Sequence, residues 1–227
     1  MTGYRSVVFD LDGTLVDSTV DIAGALNLAL VPLGGRPLLP AEVAPMLGDG
    51  VAALVSRAAG LSGVDGTDGA DGVDLAAVAQ HYLAEYRSRP VVDSTLFSGV
   101  QDALAALHAA DVPMAVCTNK PEAIARQVLD GLSVAQHFPV VVGGDRIERS
   151  KPYADHLWLA LSELGADPTT SVLVGDSPVD EQCARAADVA FLAVPWAPPT
   201  VVGQRLASFE ALPDLVLVDT VHPRSRA

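Results

Sequence analysis

Short apolar runs and longer amphipathic stretches alternate along the second half of the chain. Apolar runs that predict buried strands occupy residues 114–117, 139–142, 172–174 and 189–194, and a similar run stands alone at 7–9. Between them, apolar residues spaced three or four apart predict helices at 100–109, after Pro121, after Pro152 and at about 179–187. Because strands and helices take turns, we predict an α/β fold with a Rossmann-like parallel sheet covered by helices.

Residues 16–91 differ from the rest because their apolar pattern is helical throughout. One stripe joins Ile22, Leu26 and Leu30, and further helical segments begin at Pro40, run from 51 to 60 and run from 75 to 87. We therefore predict a core of residues 1–15 and 92–227 with an inserted, all-helical cap of residues 16–91. The aspartate- and glycine-rich segment 62–74 predicts a solvated, mobile loop, and the polar tail after Val218 predicts a loose chain end.

The residues that could carry chemistry come where the predicted strands stop. They are Asp10 and Asp12, then Thr118, Asn119 and Lys120, then Gly143, Gly144 and Asp145, and finally Asp176 and Ser177. In a parallel sheet these ends lie side by side, so residues distant in sequence meet over one edge. Each group also has a simpler explanation as a turn, a helix cap or a surface residue. One phosphoryl-transfer site explains all of them together.

The first strand ends in two aspartates, Asp10 and Asp12, followed by Gly13. Two nearby, partly buried carboxylates repel each other and lose hydration, which is costly unless a cation lies between them. A hard divalent ion such as Mg²⁺ prefers oxygen ligands and binds few protein carboxylates together with phosphate oxygens. The alternative is an ordinary strand that ends in an aspartate–glycine turn.

Charge and composition narrow the classes of partner. The formal net charge of −14 argues against nucleic acid and anionic membranes, which bind clustered Lys and Arg. Half of the residues are hydrophobic, which is ample for a packed core, yet no run of about twenty apolar residues predicts a membrane span. Cys117 and Cys183 have no disulfide or zinc-like spacing, and no secretory signal pattern is found, so we predict a cytoplasmic protein.

Lysine is rare in this sequence. Of 14 basic residues only Lys120 and Lys151 are lysine, and the others are arginine. Both lysines lie beside the motifs described above. An ammonium group is a compact point charge suited to a single phosphoryl oxygen, so the two lysines predict local positive charge in an acidic protein.

Four motifs together resemble those of haloacid dehalogenase-type phosphatases, in order along the chain. They are Phe9-Asp10-Leu11-Asp12-Gly13-Thr14-Leu15, Thr118-Asn119-Lys120, Lys151-Pro152 and Gly175-Asp176-Ser177-Pro178-Val179-Asp180. Residues 48–50, 142–145 and 194–196 are similar to phosphoglycolate phosphatases within that superfamily. The resemblance covers nearly the whole chain and identifies the core as catalytic.

The resemblance implies a role for each acidic residue. Asp10 is the nucleophile that forms an aspartyl-phosphate, and Asp12 is the general acid and base. Mg²⁺ is held by the Asp10 carboxylate, the Asp12 backbone carbonyl and Asp176. Asp180 supports the metal or orients Lys151.

The resemblance also implies which residues bind the substrate. Thr118, the Asn119 backbone N–H and Lys151 bind phosphoryl oxygens, and the cap loop Gly48-Asp49-Gly50 contacts the rest of the molecule. We therefore expect a Mg²⁺-dependent phosphomonoesterase for a small phosphorylated metabolite, with 2-phosphoglycolate as the leading substrate.

Several alternatives stay open at this point. The substrate could be a sugar phosphate, a nucleotide or pyrophosphate, the enzyme could be a sugar-phosphate mutase, or the fold could serve as a non-catalytic phosphometabolite-binding module. The presence of Asp12 argues against a dehalogenase, and the absence of lysine from residues 16–91 argues against a phosphonate hydrolase. Monomer and homodimer are both possible.

Overall fold

The computed structural model describes residues 3–64 and 72–217, and a parallel sheet forms its centre. The strands described are β1 (Ser6–Phe9), β2 (Val16–Asp17), β3 (Thr95–Leu96), β4 (Met114–Thr118), β5 (Val140–Gly143), β6 (Ser171–Gly175), β7 (Ala190–Ala193) and β8 (Gln204–Arg205). Six of them pair in the order β5-β4-β1-β6-β7-β8, and every pairing is parallel. The predicted parallel sheet is confirmed, including each apolar run that predicted a strand.

The helices fall into two groups along the chain. They are α1 (Thr19–Leu30), α2 (Pro40–Val43), α3 (Val51–Ser62) and α4 (Leu75–Ser88), then α5 (Val100–Ala109), α6 (Glu122–Gly131), α7 (Ala154–Leu164), α8 (Pro178–Ala187) and α9 (Leu212–Val216). The first group lies between β2 and β3, so the inserted helical segment predicted from the sequence is present. We call α1 to α4 the cap helices.

The sheet is covered on both faces, as the alternation of buried side chains along β1 requires. Val7 and Phe9 pack in one cluster, whereas Val8 packs in another with residues of α7 and α8. The Phe9 ring contacts the edge of Phe138 at 6.0 Å and stacks on Phe209 at 6.2 Å between ring centroids. Burial on both faces explains why the strands are continuous apolar runs.

Two short features join the cap helices to the sheet. The antiparallel pair β2–β3 sets Val16 opposite Leu96 where the chain leaves and re-enters the core. Beside it, the carboxylate of Asp21 on α1 accepts hydrogen bonds from the backbone N–H groups of Val92, Asp93 and Ser94, and from the Ser94 hydroxyl. The exact boundaries predicted for core and cap, 15/16 and 91/92, stay a prediction.

Some features of the sequence fall outside the described residues. They include most of the aspartate-rich segment, at residues 65–71, and the tail from residue 218 onward. Within the described part, Cys117 and Cys183 are buried free thiols. None of the described helices combines the length and the apolar character needed to cross a bilayer.

Candidate active site

Three neighbouring strands bring the predicted site residues to one edge of the sheet. Asp10 follows β1, Thr118 ends β4, and Asp176 follows β6, and these strands are adjacent in the order β4-β1-β6. Asp10, Asp12, Thr118 and Asn119 line a common pocket. The convergence arises because parallel strands of similar length end at the same edge.

Lys151 lies at the centre of the acidic groups. Its Nζ is 2.7 Å from Oδ1 of Asp10 and 2.6 Å from Oδ1 of Asp180, and none of the three side chains is more than 6 % exposed. Burial alone would lower the pKa of Lys151, but Asp10 and Asp180 together raise it well above its ordinary value. The ammonium group is therefore held charged in a site shielded from water.

The single positive charge of Lys151 does not compensate all of the carboxylates around it. Burial raises the pKa of Asp10 to about 7, although Lys151 opposes the shift. Burial also raises the pKa of Asp176 well above its usual range, and repulsion from Asp180 and Asp10 adds to the shift. A site that leaves two carboxylates undercompensated in this way favours a cation.

The geometry of the acidic groups fits a hard metal ion. Asp10, Asp176 and Asp180 each offer a carboxylate oxygen, and these atoms lie within 4.8 Å of one another. Both Asp180 oxygens already accept hydrogen bonds, Oδ1 from Lys151 and Oδ2 from Ser177. Asp10 and Asp176 therefore provide the freer oxygens, and an all-oxygen donor set suits a divalent ion such as Mg²⁺.

The loop after β1 fixes Asp176 in place. The Thr14 hydroxyl donates a hydrogen bond of 2.8 Å to Oδ1 of Asp176. Gly13 has φ +87°, and a Cβ atom at this position would lie 2.5 Å from Oδ2 of Asp176. Only glycine therefore allows the loop to pass so close to that carboxylate.

Asp180 has two structural tasks at the start of α8. Ser177 is the N-cap residue, and its hydroxyl accepts from the Asp180 N–H while the Asp180 Oδ2 accepts from the Ser177 N–H at 3.1 Å. This capping box turns the other carboxylate oxygen, Oδ1, toward Lys151. The geometry agrees with the implied role of Asp180 in orienting Lys151.

The side chain of Asp12 pairs with Lys120 and not with Lys151. Both of its oxygens lie 2.8 Å from Nζ of Lys120, and the Ser18 hydroxyl donates to Oδ1 at 2.5 Å. The Asp12 carboxylate is thus absent from the acidic group at Lys151, and the metal contact implied for this residue is through its backbone carbonyl. The sequence predicted Lys120 as positive charge beside the site but not its contact with Asp12.

Asn119 links three loops around the pocket. Its side-chain amide donates to the Gly48 carbonyl at 2.7 Å and to the Lys151 carbonyl at 2.9 Å. The Lys151 backbone N–H in turn donates to Nδ1 of the buried His156 at 3.1 Å. The sequence predicted only the Asn119 backbone N–H as a phosphate ligand, and the side chain adds a direct contact between core and cap loop.

Thr118 lies at the bottom of the same pocket. The residue is 2 % exposed, and its hydroxyl accepts a hydrogen bond of 3.2 Å from the Lys120 N–H. The hydroxyl proton remains available to donate to an oxygen in the pocket, as a phosphate-binding role requires.

The cap helices supply a largely apolar wall opposite these residues. The cap residues that line the pocket are Ile22, Leu47, Gly48, Gly50, Val51, Leu54, Tyr82, Leu83 and Tyr86. Two glycines of the predicted cap loop thus line the pocket, whereas Asp49 is exposed and its carboxylate pairs with Arg57. The predicted contact of Asp49 with substrate has no support from this geometry.

Trp196 closes the other side of the site. It lines a second cavity together with Asp12, Asp176 and Ser177, and its Nε1–H donates to the Gly13 carbonyl at 2.7 Å. Its ring stacks on Phe97 with 4.3 Å between centroids. Trp196 therefore supports the loop that carries the first motif.

Comparisons with known proteins agree with this arrangement. The sequence model of the haloacid dehalogenase-like hydrolase family matches residues 7–194. A phosphoglycolate phosphatase of Rhodospirillum rubrum is 38% identical over 185 residues, which cover 82% of this chain and 77% of that protein. A phosphoglycolate phosphatase of Chromobacterium violaceum is 38% identical over 190 residues and covers 84% of each chain.

A solved structure matches the fold. The crystal structure of a predicted phosphoglycolate phosphatase from Haemophilus somnus superposes with a TM-score of 0.82 at 24% identity, covering 93% of this chain and 97% of that one. Residues 7–194, which the family model matches, include all four motifs that converge at the sheet edge. The chain belongs to the haloacid dehalogenase-like hydrolase family.

Proposed function

We propose that the protein is a Mg²⁺-dependent phosphomonoester hydrolase that works through an aspartyl-phosphate on Asp10. The observation that carries the proposal is the buried Lys151 ammonium group between Asp10 and Asp180, with Asp176 beside them. This arrangement neutralises and orients phosphoryl oxygens, which is the main task in phosphoryl transfer. When bound by Asp10, Asp176 and the Asp12 carbonyl, Mg²⁺ would supply further positive charge to the phosphoryl group.

Asp10 acts as the nucleophile in the first half of the reaction. Lys151 holds Oδ1, so Oδ2 is the oxygen that attacks phosphorus. A new bond forms between Oδ2 and phosphorus while the bond from phosphorus to the ester oxygen breaks. Lys151, Thr118 and the Asn119 N–H bind the phosphoryl oxygens during this exchange.

Asp12 is the proton donor or acceptor in both half-reactions. It gives a proton to the departing ester oxygen, which leaves as an alcohol, and then accepts a proton from the water that attacks the phosphorus of the aspartyl-phosphate. Inorganic phosphate departs, and Asp10 is restored as a carboxylate. Ser18 and Lys120 hold the Asp12 side chain for this task.

We propose 2-phosphoglycolate as the substrate, since both relatives described above are named phosphoglycolate phosphatases. The pocket wall formed by the cap helices suits a small alcohol group and excludes bulk water from the reaction. The net charge of −14 argues against nucleic acid as a partner, and buried free thiols agree with the predicted cytoplasmic location. Sugar phosphates and nucleotides are the substrates to compare.

Hydrolysis assays with and without Mg²⁺ test this proposal. We expect the purified protein to release phosphate from 2-phosphoglycolate and from p-nitrophenyl phosphate, and EDTA to stop both reactions. The Asp10→Asn variant should be inactive, whereas Asp102→Asn, an exposed acid on α5, should match the wild type. Full activity in Asp10→Asn would contradict the mechanism. A preference for hexose phosphates would overturn only the assignment of 2-phosphoglycolate as the substrate. A lack of all activity would favour a binding module.

A further inference from the structure

We propose that Lys120 determines substrate specificity by binding a carboxylate on the leaving group, at the same time as it holds Asp12. This inference rests on the proposed function and deepens it, because it names the residue that recognises the non-phosphoryl end of the substrate. The class of substrate is a phosphate monoester with a carboxylate one carbon away from the ester oxygen.

Lys120 is placed between the reacting end of the pocket and the cap wall. Its Nζ lies 2.8 Å from both oxygens of Asp12, and its side chain is only 4% exposed. Nζ also lies 4.5 Å from the centroid of the Tyr86 ring on α4. An ammonium group over an aromatic face is stabilised by the ring electrons, so the cap fixes one side of Lys120.

Lys120 is also the one cationic residue among the described residues that line this pocket. Lys151 contacts Asp10 and Asp180 at the phosphoryl end, where its remaining N–H is assigned to a phosphoryl oxygen, so it is not placed to bind the leaving group. The opposite wall is formed mainly by apolar residues such as Leu54 and Tyr82. A carboxylate buried there without a cation would be strongly disfavoured.

An ammonium group has three N–H donors, and Asp12 takes at most two of them. Within residues 3–64 and 72–217 no third oxygen accepts a hydrogen bond from Nζ. One donor of this buried cation therefore has no oxygen partner; apart from the Tyr86 ring that Nζ faces, it is left for a ligand.

The chemistry of the substrate brings a carboxylate to this donor. The proposed acid Asp12 must come within about 3 Å of the ester oxygen to pass its proton. In 2-phosphoglycolate a single CH₂ group separates that oxygen from the carboxylate. A group next to the ester oxygen is therefore also next to the cation that contacts Asp12. Asp12 and the substrate carboxylate thus share Lys120.

The test compares two substrates of nearly equal size in three proteins. The substrates are 2-phosphoglycolate and 2-hydroxyethyl phosphate, which has a neutral hydroxyl in place of the carboxylate. The proteins are the wild type, Lys120→Met and Lys120→Arg. We expect the wild type to prefer 2-phosphoglycolate in kcat/KM, and Lys120→Met to lose roughly 10- to 100-fold of that preference, because a charge-assisted hydrogen bond is removed. Lys120→Arg keeps the charge and should keep more of the preference.

The ratio of the two kcat/KM values separates specificity from a structural role. If Lys120→Met slows both substrates equally, Lys120 acts only through Asp12 and the proposal is wrong. A wild type that does not prefer 2-phosphoglycolate overturns it as well, even if the variant fails to fold. Failure of the proposed function looks different, because neither substrate nor p-nitrophenyl phosphate would then be hydrolysed by the wild type.

Discussion

Asp180 shows how one side chain can satisfy a helix and a catalytic group at once. One carboxylate oxygen completes the capping box with Ser177, and the other contacts Lys151. Because the helix fixes the carboxylate, the position of the Lys151 ammonium group is fixed as well. The side chain is fully buried, so no water can replace either contact.

We expect Asp180→Asn to lower kcat/KM for p-nitrophenyl phosphate by roughly 10- to 100-fold, because Lys151 loses one of two negative partners. The capping box also weakens, so the free energy of unfolding should fall by about 1–3 kcal/mol. Steady-state kinetics and urea titration measure the two effects. Glu181→Gln neutralises the next acid of the same helix turn and should change activity little. Unchanged kinetics in Asp180→Asn would show that Lys151 does not depend on Asp180.

His156 links stability to pH. It is fully buried, its Nδ1 accepts from the Lys151 N–H, and its Nε2–H donates to the Val142 carbonyl. Burial, together with the nearby Lys151 charge, lowers the pKa of His156 to about 4. In the unfolded chain His156 therefore becomes protonated near pH 6.5, whereas in the folded protein it stays neutral until about pH 4.

The stabilising contribution of His156 is consequently complete above pH 6.5 and is lost as the pH falls toward 4. We expect the wild type to lose roughly 3 kcal/mol of unfolding free energy from this residue across that window. Urea titrations of the wild type and His156→Gln at several pH values measure the difference. The stability gap between the two proteins should narrow as the pH falls. A gap that stays constant from pH 7 to pH 4.5 would be inconsistent with a neutral, buried His156.

At the scale of single residues, the sequence predicts which residues belong to the site better than it predicts where their side chains point. Asp10 and Asp176 lie together because strand ends in a parallel sheet coincide, which a pattern of residues can show. Whether a side chain turns toward the pocket depends on its neighbours in space. Asp49 pairs with Arg57, which lies on α3. Asp12 pairs with Lys120, which follows β4 and is distant in sequence.

At the scale of elements, the loop after β5 supports the loop after β4. The Gly144 N–H donates to the Lys120 carbonyl at 3.1 Å, and a Cβ atom on Gly144 would lie 2.8 Å from the Asn119 carbonyl oxygen. The Asp145 carboxylate accepts from the Glu122 N–H at the start of α6. The Gly143-Gly144-Asp145 motif, found from the sequence as a strand end, therefore acts as a backbone support for Asn119 and Lys120.

The Asp21 carboxylate joins α1 to the segment that returns from the cap. Burial would raise the pKa of Asp21, but hydrogen bonds from Ser94, Val92 and Asp93 lower it below its ordinary value. Its stabilising contribution is therefore present above the unfolded pKa of about 4 and is lost as the pH falls through the folded value.

We expect Asp21→Asn to lower the free energy of unfolding at pH 7 by about 1–3 kcal/mol, because an amide group places N–H donors where backbone N–H donors need acceptors. Urea denaturation measures the loss. Asp93→Asn, an exposed acid in the same segment, is the control and should change stability by less than about 0.5 kcal/mol. Equal stability of Asp21→Asn and the wild type would show that this junction does not contribute.

The strands that escaped prediction are the shortest ones. The strands β2, β3 and β8 have two residues each, and β8 is exposed. A strand of two residues has no alternation to detect, and its pairing depends on contacts across the fold. The long helices and buried strands were predictable because burial on one or both faces imposes a period on the sequence.

At the scale of the whole molecule, negative charge dominates both the surface and the site. The formal net charge is −14, and the sheet edge gathers Asp10, Asp176 and Asp180 around a single lysine. Repulsion among these carboxylates destabilises the folded protein, and a bound cation would relieve it. Metal binding should therefore increase stability by mass action.

We expect millimolar Mg²⁺ to raise the melting temperature of the wild type by several degrees relative to EDTA, since a ligand at 100 times its Kd adds about 2.7 kcal/mol. Asp176→Asn should reduce this increase. Thermal unfolding followed by circular dichroism measures both proteins under matched ionic strength. An equal increase in Asp176→Asn would indicate that Mg²⁺ binds elsewhere.

The most direct test of the account is to find where the phosphoryl group resides during turnover. A reaction with 2-phosphoglycolate and Mg²⁺ is stopped with acid within one turnover, and the digested protein is analysed by mass spectrometry. We predict that the peptide containing Asp10 gains the mass of one phosphoryl group, and that Asp10→Asn gains none. A phosphoryl group found on a different residue would contradict the assignment of Asp10 as the nucleophile, as would rapid hydrolysis by Asp10→Asn.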